Sequence, residues 1–441
     1  MRFLSRRHLW ALLFVLTPLG TACPQTLSGV PLATSTVEDP VMASPGLSTL
    51  PAASRSYFLG GIHVSTGAER DPSLLSTYSS QITSVTNLIG DFSLRKFWRH
   101  FETSINYTGG DTLYPSYGGV KFNNQQYQRF NGIEVIRWKS GQLSFRDLFS
   151  YTGSRGFGSS SPGGIGNPTN PGSEFFGAAI FAPSYLGNVT VASVTEAFTR
   201  RSSVNFSAAY SFTDYLNNSE GLFNSRQASA QAGLTHQISR RNSIELLYGY
   251  QDFQFIPNLQ SVVTNSAQFV FQRQVSDRLQ LVLGAGPDRI VTSGITTESQ
   301  INAAAQASLV YRRKKSLLTF SYNRLVTSGS GVYAGGISDT AALSIDRRFF
   351  RSWQGTLRGG YDRTNGLGVT SFGAQLPQSR YWLAGATVRR SLGRSLSAFA
   401  SYEFNYDNFL TCGGFQSCSP AVNRNIILTG LDWSIRPIHL E

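Results

Sequence analysis

QASAQAGLTHQI, residues 227–238, alternates between two kinds of side chain. Every second position carries an apolar side chain, and the positions between them are polar. The apolar set is Ala228, Ala230, Ala232, Leu234 and Ile238, and the polar set is Gln227, Ser229, Gln231, Thr235 and Gln237. Because successive side chains of a β-strand point to opposite sides, this stretch predicts a strand with one apolar and one polar face.

The same pattern recurs along most of the chain, for example at 301–311 and 395–406. The blocks are separated by connections that alternate between short and long. We predict strands at about 56–66, 83–95, 99–109, 124–138, 142–153, 189–199, 203–215, 226–238, 243–255, 261–273, 278–286, 300–312, 316–327, 338–349, 353–363, 380–390, 395–406 and 424–435.

Soluble β-sandwiches show the same alternation of apolar and polar residues. The positions of aromatic residues and the lengths of the connections therefore have to distinguish a sandwich from a membrane barrel. Tyr248 and Tyr250, like Phe320 and Tyr322, lie on apolar faces near strand ends, where membrane barrels place aromatic girdles. Short turns on one side and longer loops on the other complete the pattern. We therefore predict an all-β fold: a transmembrane antiparallel up-and-down β-barrel of about eighteen strands, with sixteen as the alternative, short periplasmic turns and longer external loops.

The composition excludes a helical membrane protein. Charged residues make up 14% of the chain, with 43 Gly and 30 Phe, and no apolar run after the N-terminus approaches the roughly twenty residues of a membrane helix. We predict a signal peptide at 1–22, a flexible periplasmic segment at 23–54, the barrel at 55–435 and a short tail at 436–441.

The signal peptide is read from a basic region followed by an apolar one and then by small residues. These are Arg2, Arg6 and Arg7, then Leu9 to Leu16, then Gly20 and Ala22. Cleavage after Ala22 and Sec-type export are expected, although the adjacent arginines also resemble a twin-arginine signal. Lipidation of Cys23 stays open, since Gly20 stands where a lipoprotein signal has a large aliphatic residue.

Cys412 and Cys418 bracket the hexapeptide of TCGGFQSC. In an oxidising compartment we expect a disulfide between them, and two unpaired thiols in a loop are the alternative.

The last predicted strand contains Gly430, Trp433 and Ile435 in the sequence GLDWSI. This resembles the Gly-x-x-aromatic-x-hydrophobic signature by which outer-membrane barrels are recognised for assembly. It departs from the signature in having Ile435 where an aromatic residue is usual, and in the residues 436–441 that follow. The resemblance to bacterial outer-membrane porin-like barrels covers 56–435 as an architecture. It implies the outer membrane of a Gram-negative bacterium and the barrel-assembly machinery as a partner.

The formal charge is +13, and much of it falls in or beside the short turns. On a barrel these residues form a periplasmic rim that attracts anionic lipid of the outer membrane, by up to about 1 kcal/mol each. Ordinary solvated turn charge is the alternative, and nucleic acid is not required as a partner. The rim residues include Arg200, Arg201, Arg240, Arg241, Arg312, Arg313, Lys314, Lys315, Arg347, Arg348, Arg389 and Arg390.

The polar positions of the strands carry charges of both signs. We predict that these side chains face the lumen and that the channel prefers anions only modestly. Loop 155–188 either folds inward to narrow the channel or lies outside. The candidate lumen-facing charges are Glu102, Glu134, Arg146, Glu245, Arg358, Asp362 and Glu403.

Neither catalytic nor metal-binding groups are predicted. His63 has no Ser or Asp partner that the sequence identifies, and the two C-terminal cysteines have no histidine at metal-ligand spacing. Glycine-rich segments lack the Lys-Ser or Lys-Thr ending of a phosphate-binding loop, so no cofactor is expected.

The leading functional hypothesis is a passive diffusion channel for small polar or anionic solutes, because eighteen strands enclose an aqueous pore unless something fills it. The alternatives are an outer-membrane conduit for export of an anionic exopolysaccharide, and a structural or adhesion barrel plugged by its own segments. An enzyme comes last, and an oligomer stays open.

Overall fold

The described residues of the computed structural model form eighteen long strands and a two-residue strand, β19. The structure describes residues 56–70, 82–114, 125–152, 184–216, 224–256, 260–294, 297–327, 335–367, 378–411 and 422–440. The strands are Tyr57–Arg70 (β1), Ile82–Phe97 (β2), Phe101–Leu113 (β3), Gln125–Arg137 (β4), Gly141–Thr152 (β5), Tyr185–Ala197 (β6), Ser202–Tyr215 (β7), Asn224–Ser239 (β8), Asn242–Ile256 (β9), Gln260–Ser276 (β10), Leu279–Ser293 (β11), Thr297–Arg313 (β12), Ser316–Thr327 (β13), Gly336–Arg348 (β14), Trp353–Gly366 (β15), Gln378–Ser391 (β16), Leu396–Thr411 (β17), Val422–Ser434 (β18) and Ile438–His439 (β19).

Each long strand pairs antiparallel with its neighbour in the chain, and β1 pairs with β18. The ladder between β1 and β18 runs from Gly61 opposite Ser434 to Arg70 opposite Asn425. This pairing closes the sheet, so the predicted antiparallel up-and-down barrel of eighteen strands is confirmed. Closure removes the free edges that an open sheet would leave unpaired in a membrane.

The two faces of the wall differ in polarity. Large apolar side chains on one face are exposed, among them Ile62, Val64, Leu88, Phe206, Tyr210, Leu234, Leu246, Tyr248, Leu283, Leu357, Ile427 and Leu431. Polar side chains on the other face are buried, among them Asn87, Asp91, Ser207, Ser211, Gln227, Ser229, Gln231, Thr264 and Thr340. Side chains of strands two apart meet on this second face, as Asn205 of β7 and Glu245 of β9 do, so it is the concave one. The apolar face is therefore the outer wall.

The short turns lie together at one end of the barrel. Tyr57, at the start of β1, pairs with Arg95 near the first of these turns, and Ser434 at the end of β18 lies at the same end. The even number of long strands places the start of β1 and the end of β18 at this short-turn end, the arrangement that outer-membrane barrels have on their periplasmic side. No helix in the described ranges is both long and apolar enough to cross a membrane.

Several strands differ from their predicted bounds. β1 and β11 continue past their predicted ends, to Arg70 and Ser293, and β6 begins earlier, at Tyr185. In the predicted tail, Ile438 and His439 pair with Phe58 and Tyr57 as β19. The signal peptide, the 23–54 segment, most of loop 155–188 and the Cys412–Cys418 pair lie outside the described residues.

Candidate channel lumen

The predicted lumen charges share the concave face, with one exception. Arg146 lies opposite Ile133, Arg358 lies opposite Ser344, and Glu403 lies opposite Gly385, all on this face. Glu102, Glu245 and Asp362 lie on it as well.

Glu134 is the exception, and its predicted position is corrected here. It is exposed and lies opposite Thr103 and Phe145, on the face that also carries Phe130 and Ile136. The alternation of β4 is ambiguous, because glutamine and glutamate share one parity with these apolar residues while Arg129 and Arg137 share the other. The neighbouring strands β3 and β5 set its orientation, and a change of parity by one residue sends a side chain to the opposite face.

Glu102 forms the centre of an ion-pair cluster near the short-turn end of the barrel. Its carboxylate accepts a hydrogen bond from Arg95 Nε at 2.8 Å and another from Arg137 at 2.6 Å. Glu102 is buried, whereas Arg137 is about half exposed. Two guanidinium groups on one carboxylate leave this part of the inner wall with a net positive charge.

A second cluster joins the first and last long strands. Nδ1 of His63 in β1 lies 2.7 Å from Oδ1 of Asp432 in β18, and its Nε2 contacts a carboxylate oxygen of Asp91 in β2. Arg389 of β16 lies 2.9 Å from the other oxygen of Asp432, which also accepts a hydrogen bond from Ser397 at 3.3 Å. The imidazole can donate to both carboxylates only when both ring nitrogens carry protons. We call His63, Asp91, Arg389 and Asp432 the seam cluster.

Sequence reasoning did not find the seam cluster, although one signal was present. Arg389 was assigned to the exposed rim, yet its side chain is mostly buried against Asp432. His63 and Asp432 both fall on the polar parity of their strands, and the pairing of the first and last strands of a barrel places such residues side by side. The register that brings them opposite each other is known only from the structure.

Two other predicted charges, Asp362 and Glu245, accept hydrogen bonds from neutral groups. Asp362 accepts hydrogen bonds from the hydroxyl groups of Ser338, Thr340 and Thr364, the last two at 2.8 Å. Glu245 accepts one from Asn205 at 2.6 Å. Buried carboxylates with hydroxyl and amide partners of this kind suit a polar inner wall more than an apolar core.

An apolar cluster also lies inside the wall. Phe253 and Phe255 of β9, Val262 of β10 and Ile290 of β11 are almost completely buried and pack with Val326 and Leu367. The sequence contained a signal for this cluster. Phe253 and Phe255 are an even number of residues from Glu245 in the same strand, so they had to face inward with it. We call the first four residues the inner apolar patch.

The short turns are basic and carry exposed aromatic side chains. Trp98, Phe198, Phe349 and Phe350 are exposed at the turns. The guanidinium of Arg347 lies 5.7 Å from the ring centre of Phe349, and that of Arg390 lies 5.4 Å from the Trp353 ring. Cations over aromatic faces at a membrane boundary suit contact with lipid headgroups.

Metal binding has no support within the part of the chain that the structure describes, where no group of three or more His, Cys, Asp or Glu residues is arranged to hold an ion.

No known family model matches this sequence. No curated protein matches it. Among solved structures, the chain is similar to Pseudomonas aeruginosa OpdK with vanillate, with a TM-score of 0.42 and 10% identity over 87% of this chain and 99% of that one. Acinetobacter baumannii OccAB3 matches with a TM-score of 0.42 and 8% identity over 87% and 100% of the two chains. The Neisseria meningitidis FrpB iron transporter matches with a TM-score of 0.42 and 8% identity over 87% and 82%. Identities this low leave the solute to be argued from the lumen itself.

Proposed function

We propose that the protein is an outer-membrane channel for passive diffusion of small polar or anionic solutes. The observation that carries the proposal is the closed wall of eighteen strands with an apolar outer face and a polar, charged inner face. Barrels of about sixteen to eighteen strands enclose an aqueous channel when nothing fills them. No chemical step is needed, because concentration gradients drive the solute.

The charge distribution supports a weak preference for anions. Glu102 holds two arginines, and the short turns add exposed Lys and Arg at the periplasmic mouth. Carboxylates such as Glu245 and Glu403 also face the lumen, so strong selectivity is not expected. Fixed positive charge at a pore mouth raises the local concentration of anions and is screened by salt.

Planar-bilayer recording of the purified mature protein tests the channel directly. Discrete conductance steps are expected. Membranes that stay silent, even after deletion of 23–54 and shortening of loop 155–188, would reject a diffusion channel. The same result would favour a plugged structural barrel, a second candidate supported by the apolar cluster inside the wall.

The turn after β12 provides the test of ion preference. Replacing Arg312, Arg313, Lys314 and Lys315 together with Gln should lower the anion preference at low salt and leave single-channel conductance nearly unchanged, because these side chains are exposed at the rim. Reversal potentials under a salt gradient measure the preference. Screening at high salt, where the Debye length falls to about 3 Å, should erase the difference between the two proteins. A strongly cation-selective wild-type pore would contradict the charge argument.

Outer-membrane residence and contact with its lipids and assembly machinery are part of the proposal. The mature chain should fractionate with outer membranes and migrate faster on gels when unheated than when boiled, because a closed ladder keeps its backbone groups paired in detergent. Fractionation and paired gel lanes measure both properties. Recovery of the intact chain from the soluble periplasmic fraction would refute the membrane assignment.

A further inference from the structure

Within the described residues, β13 leaves β12 before the outer half of β12 is covered. β12 pairs with β11 from Thr297 to Tyr311, but its ladder with the described part of β13 reaches outward only as far as Ala305, opposite Arg324. From Thr297 to Ile301 the side chains of both faces are exposed, and Ile301 is 77% exposed. The same register would place Leu325 to Thr327 opposite Ala304 to Asn302, but these β13 residues pair with β14 and not with β12. The edge of β12 at 302–304 can therefore accept a strand.

The strand that would cover this edge bends away into the barrel. β13 continues to Thr327 and stays paired with β14 to its end. Val326 is 4% exposed and packs with the inner apolar patch, which lies on the concave faces of β9 to β11. Ile337 of β14, opposite Val326, packs against the same buried cluster. The outer ends of β13 and β14 therefore cross in front of β12 on the lumen side.

The residue that leads into β14 fits this crossing. Gly335 has a φ of 79°, a left-handed conformation that other residues rarely adopt. A Cβ atom at Gly335 would lie 3.3 Å from Val262 and 3.4 Å from the Phe255 ring, so the backbone itself lies against the patch.

Val326 and Ile337 occupy strand positions whose side chains would point outward if β13 and β14 followed the wall. Val326 lies opposite Ile337, and lower on the same face of the hairpin Phe320 lies opposite Leu343, which faces outward. Continuing the β12–β13 register from Ala305 opposite Arg324 would place Val326 opposite Ala303. In that arrangement Val326 and Ile337 would extend the outer apolar face, and the free edge of β12 would be paired.

Two polar groups beside the patch are not satisfied. In the described part of the chain, Oδ1 of Asp288 and Nδ2 of Asn302 are buried without a hydrogen-bond partner, and the two residues lie opposite each other on β11 and β12. Burying such groups opposes the gain from apolar packing. An arrangement in which these groups are open to water would remove this cost.

We infer that the outer end of the β13–β14 hairpin has two docking sites, the inner apolar patch and the free edge of β12, and that moving between them opens and narrows the pore. Docked on the patch, the hairpin occupies the lumen. Docked on β12, it completes the wall and leaves Asp288 and Asn302 open to the channel. The inference rests on the proposed channel function for its consequence, but the movement itself can be tested separately.

A cysteine pair can trap the hairpin on β12. In a protein whose native cysteines are replaced by Ser, Ala303→Cys with Val326→Cys places two thiols opposite each other only when β13 pairs with the edge. Ala307→Cys with Tyr322→Cys is the matched control, because these residues lie opposite each other in the structure, on the same two strands and the same face. Oxidation in membranes, followed by maleimide labelling of the denatured chain, reports which pair forms.

The test pair is expected to form a disulfide more slowly than the control and to raise single-channel conductance by about twofold or more once oxidised, with reversal by reductant. A control pair that closes while the test pair never does would overturn the proposed movement. A test pair that closes without changing the conductance would overturn its role in the pore. If no variant conducts, the channel proposal fails, and the labelling result still decides whether the hairpin moves.

Phe253→Ala supplies an independent measurement. It removes part of the patch without touching the hairpin or β12, so the open arrangement should become more populated and the test pair should close faster. An unchanged rate would show that the patch does not hold the hairpin.

Discussion

Replacing Trp433 with Asp is expected to prevent most of the protein from reaching the folded, heat-modifiable form. Trp433 is exposed on the outer wall of β18, between Ile62 of β1 and Leu396 of β17. On a lipid-facing wall, Arg or Lys costs about 2–4 kcal/mol at the bilayer midplane, and Asp costs less, as does any charge near an interface. The larger part of the loss should come from assembly, since Trp433 is the aromatic residue of the proposed C-terminal signature.

Ile438→Asp is the matched control. Ile438 is also apolar and exposed, but it belongs to the two-residue β19, outside the β18 ladder that closes the barrel. The folded fraction of each variant is read from unheated and boiled gel lanes of outer membranes at equal expression. Equal assembly of the two variants would show that the signature does not lie at Gly430, Trp433 and Ile435.

The architecture could be predicted from the sequence because each strand of such a barrel alternates apolar side chains that face outward with polar side chains that face inward. Where a strand has a clean contrast between its faces, as at 227–238, its orientation follows directly, and Gln227, Ser229 and Gln231 are indeed buried on the concave face. Where the contrast is weak, as in β4, the sequence cannot choose, and Glu134 was assigned to the wrong face. Its orientation is set by β3 and β5 instead.

Contacts between distant segments could not be predicted at all. His63 and Asp432 are 369 residues apart in the chain, and only the closing register makes them neighbours. The inward bend of β13 was equally invisible, because Val326 and Ile337 obey the alternation of an outer wall while packing inside. Local periodicity determines which face a side chain takes, but not whether the whole strand follows the wall.

The seam cluster should be the most sensitive polar site of the barrel. Asp432 is bonded to both His63 and Arg389, and the three side chains are 9%, 11% and 17% exposed. Asp432→Asn keeps the shape of the side chain but removes the negative charge that lies between the imidazole of His63 and the guanidinium of Arg389. Breaking a buried ion pair by changing one partner costs about 3–5 kcal/mol, so the folded gel band should disappear at a clearly lower temperature than in the wild type.

Asp346→Asn is the control for this change, since Asp346 also faces the lumen but accepts its hydrogen bonds from the hydroxyl groups of Ser344 and Thr356. It should shift the unfolding temperature only slightly. Adding Arg389→Gln to Asp432→Asn should recover part of the lost stability, because it removes the guanidinium whose carboxylate partner at position 432 has been lost. If Asp432→Asn unfolds at the same temperature as Asp346→Asn, the seam cluster does not stabilise the closure, and the backbone ladder between β1 and β18 alone holds the barrel shut.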